Sequence, residues 1–208
     1  LTNSLQVDAV RELASMLPTE NIVAEPAKRD ATPGVALGIG LIAARNPNAV
    51  MMVLPSDQLI QDTAAYHAVM CDALATAEKS DGLVTIGLRP TWACPSYGYI
   101  ERGNAASIPG LECAHPPCEV KRFREKPSAE LAEQFLAQGG FSWNAGMFVW
   151  SLPTVIQQLA THAPELGDFI SELRDSKDIQ ATVDSKFPHL TPISIDYALM
   201  ESADRVFN

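Results

Sequence analysis

Apolar and polar positions alternate regularly along the first half of the chain and less regularly along the second. Leu5, Val10, Leu13 and Leu17 fall at helical spacing, which predicts a helix over residues 5–17 with one apolar face. Asn21 to Ala24 predicts a short strand, and the prolines and charges from Pro26 to Pro33 predict a loop. Val35 to Ala44 reads as an alanine-rich helix. Val50 to Leu54 is a continuous apolar run closed by Pro55, the pattern of a strand buried on both faces. An amphipathic helix over Thr63–Lys79 and a second apolar strand over Leu83–Leu88 follow. Strand, helix, strand, helix, strand is the rhythm of a doubly wound sheet.

Beyond residue 92 the rhythm stops. Tyr97–Arg102 and Glu119–Phe123 predict strands on either side of a loop rich in proline and glycine. Ser128–Gln138 predicts a helix and Met147–Trp150 a strand. Residues 152–187 read as helical pieces broken at Pro164 and near Lys177, and Ser194–Glu201 as one more short helix. This grouping predicts a smaller mixed region lying on the sheet as a lid or substrate face.

Composition narrows the classes. The chain has 208 residues, 47% of them apolar, enough for one sizeable α/β domain. No apolar run approaches the roughly 20 residues of a membrane span, and the N-terminal residues do not read as a signal peptide. Fifteen Lys and Arg against 25 Asp and Glu give a net charge of -10, which argues against a nucleic-acid partner. Phosphate ligands remain open, because a few placed cations and backbone amides suffice for them. The four cysteines are irregularly spaced and read as reduced thiols of a cytoplasmic protein. Cys113, His115 and Cys118 lack the second ligand pair of a zinc site.

Several polar residues stand where strands end. Asp57 follows the first apolar strand by three residues, where ligands of open α/β sheets sit; it suits either Mg²⁺ on a nucleotide phosphate or the cap of the next helix. Glu125 and Lys126, ahead of Pro127, offer a carboxylate for sugar hydroxyls and a compact cation for a phosphate, or simply an exposed turn. Asn144 and Gly146 interrupt an apolar, aromatic run with an amide and a flexible backbone position. Asp196 opens an apolar helix and could pair with Asp57 around a metal ion if the fold joins them. Tyr97 and Gly98 suit either a sugar contact or a tight bend.

Order and spacing carry more than any one motif. Glu25-Pro26 with Arg29 and Pro33, then Leu54-Pro55-Ser56-Asp57, Tyr97-Gly98-Tyr99-Ile100, Glu125-Lys126-Pro127, Trp143-Asn144-Ala145-Gly146-Met147-Phe148 and Ser194-Ile195-Asp196-Tyr197-Ala198-Leu199-Met200-Glu201 together resemble the mannose-1-phosphate guanylyltransferase family. The resemblance implies a Rossmann-like, glycosyltransferase-A-like nucleotidyltransferase fold with a mixed, mostly parallel sheet flanked by helices. It implies one domain over residues 1–208, with a nucleotide-side part at 1–92 and a sugar-side part at 93–208. The reaction implied is GTP plus mannose 1-phosphate giving GDP-mannose and pyrophosphate, with Mg²⁺ as cofactor, in a cytoplasmic enzyme that could be a homodimer. Position by position, Asp57 and Asp196 would hold the metal. Tyr97, Gly98, Glu125, Asn144 and Gly146 would face the sugar, and Lys126 its phosphate. Arg29, Thr32, Pro33 and Pro55 would line the nucleotide.

The sequence departs from the family pattern in places. Asp30-Ala31-Thr32 stands where the family has Asn-Thr-Ala, Gln58 where it often has His, and Ala145 where Ser is usual. The glycine-rich loop that opens the family's pattern has no counterpart in these residues, so weak or no transferase activity is expected of this stretch alone. Asp30 keeps open a different nucleotide or hexose phosphate, and the unmatched loop a sugar-nucleotide-binding role without turnover.

Overall fold

Eight strands and seven α-helices follow one another in the computed structural model, which describes all 208 residues. The strands are β1 (Thr2–Asn3), β2 (Ala24–Glu25), β3 (Val50–Val53), β4 (Leu83–Leu88), β5 (Tyr99–Ala105), β6 (Cys118–Arg124), β7 (Phe141–Ser151) and β8 (Val206–Phe207). The helices are α1 (Val7–Leu13), α2 (Ala31–Ala43), α3 (Thr63–Lys79), α4 (Ala129–Gln138), α5 (Leu152–His162), α6 (Pro164–Asp175) and α7 (Ile179–Lys186). A π-helical turn, Asp196–Met200, precedes β8.

Local chemistry sets the boundaries. Asp62 caps α3 by accepting from Ala65 N at 2.9 Å, and Ser128 caps α4 by accepting from Leu131 N at 3.2 Å. Gly139, at φ 70°, ends α4 in a conformation that side chains disfavour. Helix α2 is apolar on nearly every side, from Val35 through Ile39 and Ala43, and is correspondingly buried.

Strand β1 pairs with β2 in a small parallel ribbon. The main sheet runs β3-β7-β4-β8-β6-β5, and β5 also pairs with β7, so five strands close into a ring with β3 as the outer edge. The expected mostly parallel sheet is corrected. Only β4–β8 is parallel in the main sheet, whereas β3–β7, β4–β7, β5–β6, β5–β7 and β6–β8 are antiparallel. The strand–helix–strand unit β3-α3-β4 does form, and its two strands are parallel to each other. However, β7 arrives from far downstream and lies between them, antiparallel to both. Strands β5 and β6 are joined by a loop without a crossover helix, which leaves them antiparallel.

The lid-like second region is corrected by the same observation. Strands β5, β6 and β7 belong to the same sheet as β3 and β4, so the two sequence halves interleave. The core lies on both faces of that sheet. On one face Leu37, Ile39, Trp150, Leu159, Ile170 and Leu173 pack α2, α5 and α6 together. On the other, Met70, Ala73 and Ala77 of α3 meet Val84, Val149 and Phe207. Tyr99, Ala132, Phe135 and Phe141 form a smaller cluster under α4.

The first helix is shorter than its periodicity suggests, and none of its residues is buried. Leu5 is 95% exposed and Leu13 82%, so the apolar face that spacing predicts has no neighbour. Between α2 and the outer side of β3 runs an apolar groove of about 570 Å³, lined by Val35, Leu41, Met51 and Val53 among others. No helix is long and apolar enough to cross a membrane.

Candidate active site

Strand β7 supplies the centre of the site through an irregularity. Its register against β4 shifts between Thr85↔Phe148 and Gly87↔Asn144, and Gly146 takes φ 67° inside the shifted stretch. A residue without Cβ adopts that backbone without strain. The bulge brings the Asn144 side chain among three partners. Its Nδ2 donates to Asp196 Oδ1 at 2.8 Å, and its Oδ1 accepts from Gly146 N at 3.0 Å and from the Thr85 hydroxyl at 3.2 Å. All hydrogen-bonding groups of this amide but one are thereby committed, which fixes its orientation.

Asp196 is half-buried at the start of the π-helical turn. Burial pushes its carboxyl up to about 6, and the nearby charges of Glu125 and Glu201 push in the same direction, while a backbone hydrogen bond and the Asn144 amide oppose them. An ionised Asp196 is therefore disfavoured by its surroundings and would be relieved by a cation.

Glu125 sits beside Gly98. A Cβ on Gly98 would stand 2.6 Å from Glu125 Oε2 and 3.5 Å from Asn144 Cβ, so a hydrogen at this position is what lets the carboxylate approach. The Gly98 carbonyl accepts from Asn144 N at 2.8 Å, which ties the loop before β5 to β7. Lys126 Nζ lies 3.4 Å from Glu125 Oε1. Lys126 has φ 44°, a left-handed backbone that a lysine adopts at a cost, and such strain recurs at functional sites.

The structure thus gathers Gly98, Glu125, Lys126, Asn144, Gly146 and Asp196 from four separate stretches of sequence. Asp57 is exposed after β3, and its carboxylate makes no hydrogen bond or ion pair. Its neighbour Gln58 donates from Nε2 to the Ala145 carbonyl at 2.6 Å, which anchors the Asp57 turn to the β7 bulge. No three His, Cys, Asp or Glu side chains converge as a ready metal cage. Carboxylate oxygens from Asp196, Glu125 and Asp57 are nonetheless the donor type that a hard divalent cation takes.

Other expected residues are spoken for by the chain itself. Thr32 is fully buried and donates its hydroxyl to the Ile193 carbonyl at 2.7 Å. Arg29 donates to the carbonyls of Pro188 and Lys28. Pro33 is buried in the first turns of α2, and Pro55 is half-buried after β3. Asp30 accepts from Ala31 N at 2.8 Å and so caps α2. Tyr97 packs edge-on against Trp143 at 5.2 Å and Trp92 at 6.4 Å. His115 is held by Asp72 at 2.8 Å.

Sequence reading missed Thr85. The available signal was a hydroxyl in the middle of an apolar strand, and Thr85 is completely buried yet bonded to the site amide.

Comparison with known proteins places these features in a wider set. Residues 3–187 match the family described as Nucleotidyl transferase. The chain is 36% identical over 209 residues to a mannose-1-phosphate guanylyltransferase of Sinorhizobium fredii, covering 95% of this chain and 38% of that protein. It is 32% identical to a mannose-1-phosphate guanylyltransferase of Klebsiella pneumoniae, covering 97% of this chain and 42% of that protein. The chain therefore spans about two fifths of the length of these relatives. Among solved structures it superposes with a TM-score of 0.85 on a Thermus thermophilus protein titled mannose-1-phosphate geranyltransferase, at 29% identity, covering 100% of this chain and 57% of that one. A Helicobacter pylori protein titled mannose-6-phosphate isomerase gives 0.76 at 26% identity, covering 99% of this chain and 79% of that one.

Proposed function

Because the chain belongs to the nucleotidyltransferase family, with mannose-1-phosphate guanylyltransferases among its relatives, we propose that it forms the sugar-binding and cation-binding side of an enzyme that joins a nucleotidyl group to a hexose 1-phosphate. The nucleotide of this reading is GTP, the sugar mannose 1-phosphate, and the products GDP-mannose and pyrophosphate. The observation that carries it is the hydrogen bond from Asn144 to Asp196, made beside Glu125 and Gly98. It joins an amide suited to sugar hydroxyls with a carboxylate suited to a cation.

The residues divide the work. Glu125 accepts from sugar hydroxyls, and Gly98 leaves the ring room to approach it. Asn144 uses its remaining N–H toward the sugar while its other groups hold Asp196 and the bulge. Lys126 offsets charge on the sugar phosphate as one of its oxygens attacks the α-phosphorus in line and pyrophosphate departs. No covalent intermediate with the protein is needed, so positioning and charge neutralisation carry the step. Mg²⁺, held by Asp196 and Asp57, would supply charge neutralisation at the phosphates.

Calorimetric titration of the 208-residue chain with GDP-mannose, in the presence of Mg²⁺, tests the reading. Saturable binding that Asn144→Ala weakens by about tenfold or more is expected. Absence of binding to GDP-mannose, mannose 1-phosphate and GTP alike would sink it. Pyrophosphate release from GTP with mannose 1-phosphate measures turnover separately.

A further inference from the structure

The chain carries 15 Lys and Arg residues, and most are already engaged. Arg11, Lys121, Arg122, Lys126, Arg174 and Lys186 pair with carboxylates. Arg29, Arg45 and Lys79 donate to carbonyl or amide oxygens, and Arg205 lies over the Phe207 ring. Five have no such partner, Lys28, Arg89, Arg102, Arg124 and Lys177, and two of these, Arg89 and Arg102, share one place. Both line a cleft of about 560 Å³ between the end of β4, strand β5 and the Gly139-Gly140 turn that leads into β7.

Three features of this cleft point the same way. Its lining contains no Asp or Glu, in a chain of net charge -10. By contrast, the cleft that holds Lys121, Arg122 and Arg205 also holds Glu119, Glu201 and Asp204, and is neutralised from within. Ser142 lines the cleft as well, and its hydroxyl makes no hydrogen bond within the protein. Arg102 also borders the adjoining cleft beneath α3. The carboxylate there, Asp72, is occupied by His115 and Ala114 and leaves Arg102 free. Two guanidinium forks without carboxylate partners and a serine lining one cleft are the donor types that a tetrahedral dianion takes.

We propose that this cleft is a second anion site, which binds a phosphoryl group through Arg89, Arg102 and Ser142. None of these three belongs to the set gathered around Asn144 and Asp196. The two sites are close in the sheet, since Gly87 of the cleft is the register partner of Asn144. The ligand class is inorganic phosphate, pyrophosphate or a small phosphate monoester. All three share the phosphoryl oxygens that the arginines recognise.

The test is titration calorimetry of the 208-residue chain with inorganic phosphate, pyrophosphate and glycerol 3-phosphate in turn, at low ionic strength. Saturable binding in the millimolar range or tighter is expected. The Arg89→Ala/Arg102→Ala double variant should weaken it at least about fivefold, Ser142→Ala should weaken it less, and Lys126→Ala should leave it in place. A tighter fit for glycerol 3-phosphate than for inorganic phosphate identifies an ester as the ligand, while equal fits identify the phosphoryl group alone. Both arginines are exposed, so the double variant is expected to fold, and thermal unfolding checks this. If it does not fold, Arg89→Lys/Arg102→Lys, which keeps charge but loses the planar fork, takes its place with the same criterion. No saturable binding, binding that changes less than fivefold in the arginine variant, or binding lost in Lys126→Ala would each overturn the proposal.

Discussion

Asn144 Nδ2 lies 2.8 Å from Asp196 Oδ1, and this one hydrogen bond joins the bulge of β7 to the turn that precedes β8. Replacing Asn144 by Asp would set two carboxylates at that distance. The chain should then unfold several degrees lower at pH 8 than the parent, and the gap should narrow toward pH 5 as one of the pair takes a proton. Thermal melts across that pH range check the expectation, and a gap independent of pH would refute it.

Asp196 itself has a pKa raised to about 6, above the 3.8 of an unperturbed aspartate. Between these values the folded chain holds a proton that the unfolded chain releases. In the metal-free chain the carboxyl therefore costs stability as pH rises from about 4 to 6, and the cost stays constant above that. Asp196→Asn removes it, so the variant should be more stable at pH 7 by on the order of 2 kcal/mol. Its melting temperature should rise by roughly 5 °C. The difference from the parent should vanish below about pH 4. The same variant should lose cation-dependent binding, and a drop in neutral-pH stability would count against the burial argument.

Gly98→Ala would bring a methyl to 2.6 Å from Glu125 Oε2. The carboxylate is the end of a flexible side chain and can move, so folding should change little. Sugar-phosphate affinity should fall by about tenfold, because Glu125 is displaced from its place. Parallel melting and titration measurements separate the two effects, and an unchanged affinity would remove Glu125 from the sugar site.

Gly40 makes a stability test away from the site. A Cβ there would stand 2.8 Å from both Cβ and Cδ1 of Leu173, where α2 and α6 pack directly on each other. Gly40→Ala gains helix propensity of about 1 kcal/mol, yet overpacking costs about 1–3 kcal/mol. A net loss of about 1 kcal/mol is expected in denaturant titration. Leu173→Ala introduced together with it should recover less than it costs, since Leu173 is fully buried.

Some of this was legible in the sequence for identifiable reasons. Thr63–Lys79 and Leu83–Leu88 were readable to the residue, because Asp62 caps the helix and Gly82 separates it from a largely apolar run. The start of β7 was not, because Asn144 and Gly146 interrupt its apolar pattern at the bulge the site needs. The antiparallel sheet was hidden because strand order depends on a partner strand, Phe141–Ser151, far downstream of Leu83–Leu88, which no local pattern records. Periodicity showed that the first helix has an apolar face but carried no information about what covers it. Glu125, Asn144 and Asp196 stand out in the sequence through their motifs, whereas Thr85 looks like any strand residue and meets Asn144 only through folding.

The outer side of β3 has a further consequence for samples of this chain. Its four residues offer unpaired backbone groups beside exposed Met52 and Leu54. Two molecules can align these edges about a twofold axis and extend one sheet across both. A seam only four residues long would yield few hydrogen bonds, so pairing of this kind is expected to be weak and governed by mass action. Sedimentation behaviour should accordingly vary with loading, and dilution should return single molecules.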